Sequence, residues 1–221
     1  MTNMPAGVSA DQYDEYVTKY TKPWNDYLIE RIHEEIESLE ATSKCIVDVG
    51  TGTAHTLIEM AKSESFHDFR LIGLDFFEDM VEQAKENIAS HGLETRIEVI
   101  HGDVHQMNIP DDSVDLVFGR SVIHHWENPG KAYQEIHRIL APGGVCIIHE
   151  PSREPSQVAL EKFNKLRSEF GISEMSTSEK LTADEVRMQL VEVGLDEVAS
   201  VYQGEGLSSL GFELRIAKLQ S

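Results

Sequence analysis

The sequence is short of cysteine, of positive charge and of long apolar runs. Only two cysteines occur in 221 residues, Cys45 and Cys146. Both sit inside β-branched apolar runs, where cysteine acts as a small buried hydrophobe. Neither a disulfide framework nor a cysteine metal site is expected, and a reducing, cytoplasmic setting is the reading. Lys and Arg number 19 against 39 Asp and Glu, a formal net charge of −20. A nucleic acid or an anionic membrane surface would be repelled by such a chain, and neither is expected as a partner. No apolar run approaches the length of a membrane span. The start, Met1 to Pro5, has no basic stretch and no apolar core, so no secretory signal is visible.

What is present is ordinary globular material, 40% hydrophobic and 26% charged. The length suits one good-sized domain with appendages. No internal repeat is visible. Short β-branched runs alternate with helical patterns, which predicts an α/β fold.

The chain is organised around the stretch from Cys45 to Ala61. Ile46-Val47-Asp48-Val49 reads as a buried strand. Gly50, Thr51, Gly52 and Thr53 then make a tight turn into a helix carrying Leu57, Ile58 and Ala61. Strand, glycine turn and helix present free backbone N–H groups and a positive helix end. Gly52 lets a ligand approach the backbone. Asp48 can accept hydrogen bonds from the turn or from a ligand amine. A βα turn without a ligand is the alternative at this stretch.

The stretch resembles the first motif of the class I S-adenosylmethionine-dependent methyltransferases: an apolar run, an acid, then Gly-x-Gly-x-Gly. Asp48, Gly50 and Gly52 match. Ala54 takes the third glycine's place, where a negative φ is expected to preserve the loop. A nicotinamide dinucleotide fold wants Gly-x-Gly-x-x-Gly, and His55 is too bulky at its third position. The resemblance runs closely from Cys45 to Pro151 and by topology beyond. It implies a doubly wound, mainly parallel sheet of seven strands, Rossmann-like, with helices on both faces and an antiparallel last strand.

Further matches follow in order. Arg70 to Asp75 is a second strand ending in an acid. In a doubly wound sheet this end neighbours the glycine turn, where Asp75 can accept ribose hydroxyls. Phe76 and Phe77 offer a stacking face, and Met80 continues the family's second motif. Asp75 as N-cap of the helix Glu78 to Ser90 is the alternative. After the third strand, Ile97 to Ile100, the resemblance implies that Gly102, Asp103 and Val104 read the adenine edge. Asp115, at the start of the strand Val114 to Gly119, is expected to be structural. Arg120-Ser121-Val122-Ile123-His124-His125-Trp126 follows, where the family keeps its methyl-transfer cleft. Arg120 is expected beside the cofactor. His125, with His124 and Glu150 as neighbours, is the candidate base or orienting group. Packing or capping is the alternative for either histidine, and no metal site is expected.

Flanking segments complete the reading. Residues 1–9 look unstructured. Tyr13, Tyr16, Val17 and Tyr20 form an aromatic stripe, broken at Thr21-Lys22-Pro23, which reads as a helix packed on the domain or, as the alternative, a lid over the active site. A helix follows with Trp24, Leu28, Ile32, Ile36 and Leu39 inward and Glu34, Glu35, Glu37 and Glu40 outward. Asn128 caps a helix that begins at Pro129. Residues 141–144 are a turn before a strand through Pro151. A helix spans 156–171, a polar loop 173–180, and Thr182 opens a capping box. Two final strands close the chain around Gly204, Gly206 and Gly211. The expected division, within a single methyltransferase domain, is an N-terminal helical lid or cap at 1–40, a cofactor-binding core at 41–151, a substrate-lid insertion at 152–180 and a C-terminal helix and hairpin at 181–221.

The expected function is methyl transfer from S-adenosylmethionine, with S-adenosylhomocysteine as product, to a small molecule, apolar or cationic given the overall charge. A non-catalytic cofactor-binding partner subunit is the alternative, and a dinucleotide oxidoreductase a less favoured one. Nothing in the sequence names the acceptor or the oligomeric state.

Overall fold

The computed structural model describes residues 14–15, 17–169, 173–205 and 209–220. Tyr13, Tyr16, Phe170, Gly171, Gly206 and the segment 1–9 lie outside the described residues. Seven strands form one sheet: β1 Cys45–Val49, β2 Arg70–Asp75, β3 Ile97–His101, β4 Val114–Arg120, β5 Leu140–Pro151, β6 Ala199–Gln203 and β7 Gly211–Ala217. Their order is β3-β2-β1-β4-β5-β7-β6. The first five strands pair in parallel, and β7 lies antiparallel between β5 and β6.

Helices cover both faces because the strands are apolar on both. Every residue of β1 is buried. Ile46, Leu116, Phe118 and Ile147 pack under the helices α1 Lys22–Ser38, α2 His55–Lys62 and α3 Glu78–Ser90. Val47, Val49, Val117 and Ile148 pack under α4 Pro129–Ile139 and α6 Ala183–Glu192 on the other face. The period-2 alternation of side chains divides each strand between the two cores. Among the described residues no helix is long and apolar enough to cross a membrane.

Local chemistry sets the boundaries much as expected. Asn128 Oδ1 accepts from Lys131 N at 3.1 Å, and Thr182 with Glu185 completes a capping box. Asp115 is structural: its two oxygens accept from Thr42 N, Ser43 N and Cys45 N at 2.7–3.1 Å, which holds the entry to β1. Helix α5, Gln157–Glu169, lies within the insertion.

Four expectations change. Residues 141–144 are not a separate turn but a bulge within β5. Leu140 pairs with Val114 and Val145 with Leu116, while Gly143 N and Gly144 O bond to Lys218 beyond β7. The sheet therefore satisfies the turn's backbone and pairing continues through it. Second, Pro23 does not break the chain. Val17–Thr21 runs as a π-helical turn directly into α1, with Pro23 in the first turn, where its missing N–H costs little. Third, Glu35 points inward. It is buried, with Arg215 at 2.6 Å and Arg31 at 3.0 Å. Burial works to raise its pKa, but the two guanidinium groups hold it below the usual carboxylate value.

The fourth change is at Ala54, whose φ is +65°, not negative, and whose side chain has no exposure. The third glycine's position therefore needs the left-handed conformation, and this chain carries it with an alanine. Ala54→Val should lose about 2–3 kcal/mol, because a β-branched residue is a genuine outlier there. Ala54→Gly should change stability by less than about 1 kcal/mol. Relief of about 1–2 kcal/mol of strain is offset by a lost buried methyl and a freer unfolded chain. Urea unfolding of both variants is the check, and an unperturbed valine variant would contradict the strained loop.

Candidate active site

The strand order reverses between β1 and β4, and the functional residues collect outside the carboxyl ends of these strands and their neighbours. A cleft of about 200 Å³ opens there. Gly50 and Gly52 enter from the turn after β1, and Asp75, Phe76, Phe77 and Met80 from the end of β2 and the start of α3. Gly102, Asp103, Val104 and His105 follow β3, and Arg120, Ser121, Val122 and His125 follow β4. Both turn glycines have positive φ, +76° and +55°. A Cβ on Gly50 would lie 2.5 Å from Val122 Cγ1, so the bare backbone is what keeps the cleft open.

The Asp75 carboxylate is fixed at the cleft edge. Oδ2 accepts from Gly52 N at 2.8 Å and Oδ1 from Phe77 N at 3.0 Å. Burial raises its pKa above the ordinary value, against the pull of these backbone N–H groups. Asp75 is not the N-cap weighed as an alternative: that position is Phe77, whose N–H Asp75 accepts just ahead of α3. Asp103 is half-exposed. Its Oδ1 accepts from His105 N at 2.9 Å and bonds the His105 ring. His105 Nε2 in turn accepts from Asn128 N at 3.2 Å, which ties the loop after β3 to the cap of α4.

Asp48 and Thr51 do not line this cleft. With Asn25 and Thr53 they surround a cavity of about 30 Å³ beside it, shared with Gly50 and Arg120. Asn25 Oδ1 and Thr53 Oγ1 are buried there without a hydrogen-bond partner. Burial pushes the Asp48 carboxyl up to about 7; the Thr51 hydroxyl and Arg120 pull it back, and the nearby Asp75 charge adds to the rise.

A second cavity, about 230 Å³, abuts the first and shares Arg120, Ser121 and His125 with it. Its walls come from α1 (Trp24, Tyr27), α5 (Phe163), the loop before α6 (Met175, Lys180) and β7 (Phe212). Glu150, at the end of β5, braces the partition. Its Oε2 accepts from Val122 N at 2.8 Å and Ile123 N at 2.9 Å, and Oε1 bonds His124 Nδ1. The side chains of His124 and Glu150 are only 3% and 0% exposed. His125 stacks beside His124, ring centroids 3.9 Å apart. Burial, then the charges of His124 and Lys180, push its pKa down to about 4, so it is a neutral imidazole at physiological pH. Ser121 turns the chain here with φ +59° and donates its N–H to His149 O. Among the described residues no three His, Cys, Asp or Glu side chains gather as a metal set.

Comparison with known proteins agrees with this geometry. A family model described as a methyltransferase domain matches residues 41–197. The chain belongs to this family, the class I S-adenosylmethionine-dependent methyltransferases. A solved S-adenosyl-L-methionine-dependent methyltransferase from Methanococcus maripaludis, so assigned, shares 27% identity with a TM-score of 0.72, covering 100% of this chain and 98% of that one. Carboxy-S-adenosyl-L-methionine synthase from Shewanella sp. is 25% identical over 96% of this chain and 86% of its own length. Sterol 24-C-methyltransferase ERG6A from Gibberella zeae is 27% identical over 75% of this chain but only 35% of its own length. The chain thus spans about a third of the length of several curated relatives it matches.

Within this methyltransferase, Gly50, Gly52, Asp75, Phe76, Met80, Gly102, Asp103, Val104 and Arg120 meet in one cleft, and His124, His125 and Glu150 at its partition. Asp48 and Thr51 stand one layer behind. His105, Ser121 and Lys180 were not singled out in the sequence. A histidine two residues past the Gly-Asp pair was the available signal for the first, and nothing local marked the other two. The residues fit the family's cofactor. The open glycine backbone, the oriented Asp75 and the unpartnered oxygens of Asn25 and Thr53 are all features a bound polar ligand would use.

Asp48 provides a pH test. Its folded pKa of about 7 lies above the ordinary 3.8, so between these values the folded chain keeps a proton that the unfolded chain has released. Its contribution to stability is full below about 4 and lost as pH rises through 7. Asp48→Asn should therefore raise the melting temperature more at pH 8 than at pH 5. Equal shifts at both pH values would contradict a carboxyl protonated in the fold.

Proposed function

We propose that this chain transfers a methyl group from S-adenosylmethionine to a small-molecule acceptor. One observation carries the reading: two cavities meet across Arg120, Ser121 and His125. A non-catalytic cofactor-binding subunit has no need of the second cavity.

Asp75 takes the ribose hydroxyls, its second lone pairs being open beside the two backbone bonds. Phe76, Phe77 and Met80 contact the adenine faces, and Gly102, Asp103 and Val104 its edge. Arg120, whose guanidinium has no hydrogen-bond partner among the described residues, takes the carboxylate of the methionine part. Gly50 and Gly52 border the ammonium end, with Asp48 and Thr51 one layer behind the turn. When bound, S-adenosylmethionine supplies a sulfonium-activated methyl group. The chain's own work is then to align the acceptor and to exclude water. His125 presents a neutral ring at the junction, but a pKa of about 4 makes it a weak base, so it orients the acceptor. Glu150 and His124 are positioning residues that set the backbone beneath it. α1, with Leu28 and Ile32 fully buried, is a fixed wall within the N-terminal cap at 1–40, and Phe163, Met175 and Lys180 of the insertion at 152–180 line the second cavity beside it.

Calorimetry tests the cofactor first. S-adenosylmethionine should bind and NAD should not, and Asp75→Ala should weaken S-adenosylmethionine about ten- to hundredfold through lost charge-assisted bonds. Undiminished affinity in a folded variant would remove Asp75 from the site. On an accepted substrate, His125→Ala should lower kcat by less than about tenfold, the cost of one orienting hydrogen bond. A loss of about a hundredfold or more would make it the base instead.

A further inference from the structure

The second cavity has a chemistry that the composition hides. The chain carries a net charge of −20, yet the carboxylates around this cavity are already engaged. Glu150 accepts from two backbone N–H groups and His124. Glu213, on β7 opposite His149, bonds His149 at 3.0 Å and Arg31 at 3.4 Å. Glu179 takes Ser176, Ser178 and Lys180, with its side chain half in solvent.

Donors are what remain. Lys180 lines the cavity with a side chain only 11% exposed, and Glu179 Oε1, at 3.2 Å, accounts for one of its three N–H directions. Lys180 and His125 line the same cavity, which Glu179 does not, and the ammonium's positive charge helps to lower the His125 pKa. The rest of the wall is aromatic. Trp24 packs edge-on to Phe163 with centroids 5.1 Å apart, and Tyr27 lies 5.6 Å from the His149 ring. At about 230 Å³ the space is below the ~300–1,000 Å³ of drug-sized sites, which limits the occupant to a small metabolite. Flat aromatic surfaces favour a flat apolar body, and a buried ammonium with free N–H directions favours an anion.

We propose that the methyl acceptor is a small aromatic acid whose carboxylate is bound by Lys180 while its ring lies among Trp24, Tyr27 and Phe163. This rests on the methyltransferase reading and deepens it. It also reverses the apolar or cationic acceptor expected from overall charge. Lys180 is then the specificity-determining residue, one that discriminates acceptors by their charge.

The test is calorimetry on the full chain saturated with S-adenosylhomocysteine. 4-Hydroxybenzoate is compared with 4-hydroxybenzamide and 4-hydroxybenzylamine, which keep the ring and replace the charge. The acid should bind about tenfold or more tighter than the amide, and the amine more weakly still. Lys180→Met should bring the acid down to the amide's affinity and leave S-adenosylhomocysteine affinity unchanged, while Lys180→Arg should restore the preference for the acid. Equal binding of acid and amide, tighter binding of the amine, no acid binding at millimolar concentration, or an acid preference that survives Lys180→Met would overturn the assignment. The cofactor titration separates the two failures. A chain that binds S-adenosylhomocysteine but not the acid loses only this inference, whereas one that binds no cofactor loses the methyltransferase reading as well.

Discussion

The contact between Glu150 and the backbone of Val122 and Ile123 supports the rest of the site. β4 ends at Arg120, and the chain must then turn sharply, through a residue in the left-handed region at Ser121, to form the wall between two cavities. Two N–H groups exposed by that turn would be costly to bury without an acceptor. The carboxylate at the end of the adjacent strand supplies it, and its other oxygen holds His124. Arg120, Ser121 and His125 all take their places from this bracket. A parallel sheet makes it available, because parallel pairing brings the carboxyl ends of β4 and β5 to the same edge.

Charge in this molecule is segregated in a way that totals conceal. Acidic residues dominate the sequence, but several of the buried ones are matched by named donors. Glu35 meets Arg215 and Arg31, Glu213 meets His149 and Arg31, and Asp115 meets three backbone N–H groups. Asp48 has burial and a neighbouring acid against it, and its carboxyl is pushed up to about 7 as a result. The surface of the second cavity is therefore poor in open acceptors and supplied with donors. Net charge bears on long-range association; the fields inside a cavity are set by which groups remain unpaired.

The glycine turn shows a related division of labour. Gly50 is required by a neighbour, since Val122 occupies the space of its Cβ. Gly52 and Ala54 share its positive φ, a conformation that glycine adopts without strain and alanine does not. The alanine tolerates this because its methyl is fully buried against the α2 side of the sheet, so packing offsets local strain.

The order of strands and helices was legible in the sequence because burial on two faces leaves a simple record: β-branched runs for strands, apolar residues three and four apart for helices, and side chains such as Asn128 and Thr182 at helix starts. The cleft at the strand ends was legible for the same local reason. Gly50, Gly52, Asp75, Gly102 and Asp103 each stand at a strand's carboxyl end, and a doubly wound sheet gathers such ends. What only the tertiary structure decided are the properties that arise between distant segments. The bulge at 141–144 exists because Lys218 satisfies it, and the inward turn of Glu35 because Arg215 lies opposite. The weak basicity of His125 comes from burial and from Lys180, 55 residues away in sequence (180 − 125). Periodicity reports which way a side chain faces along its own element. It carries no information about the partner that the fold sets across from it.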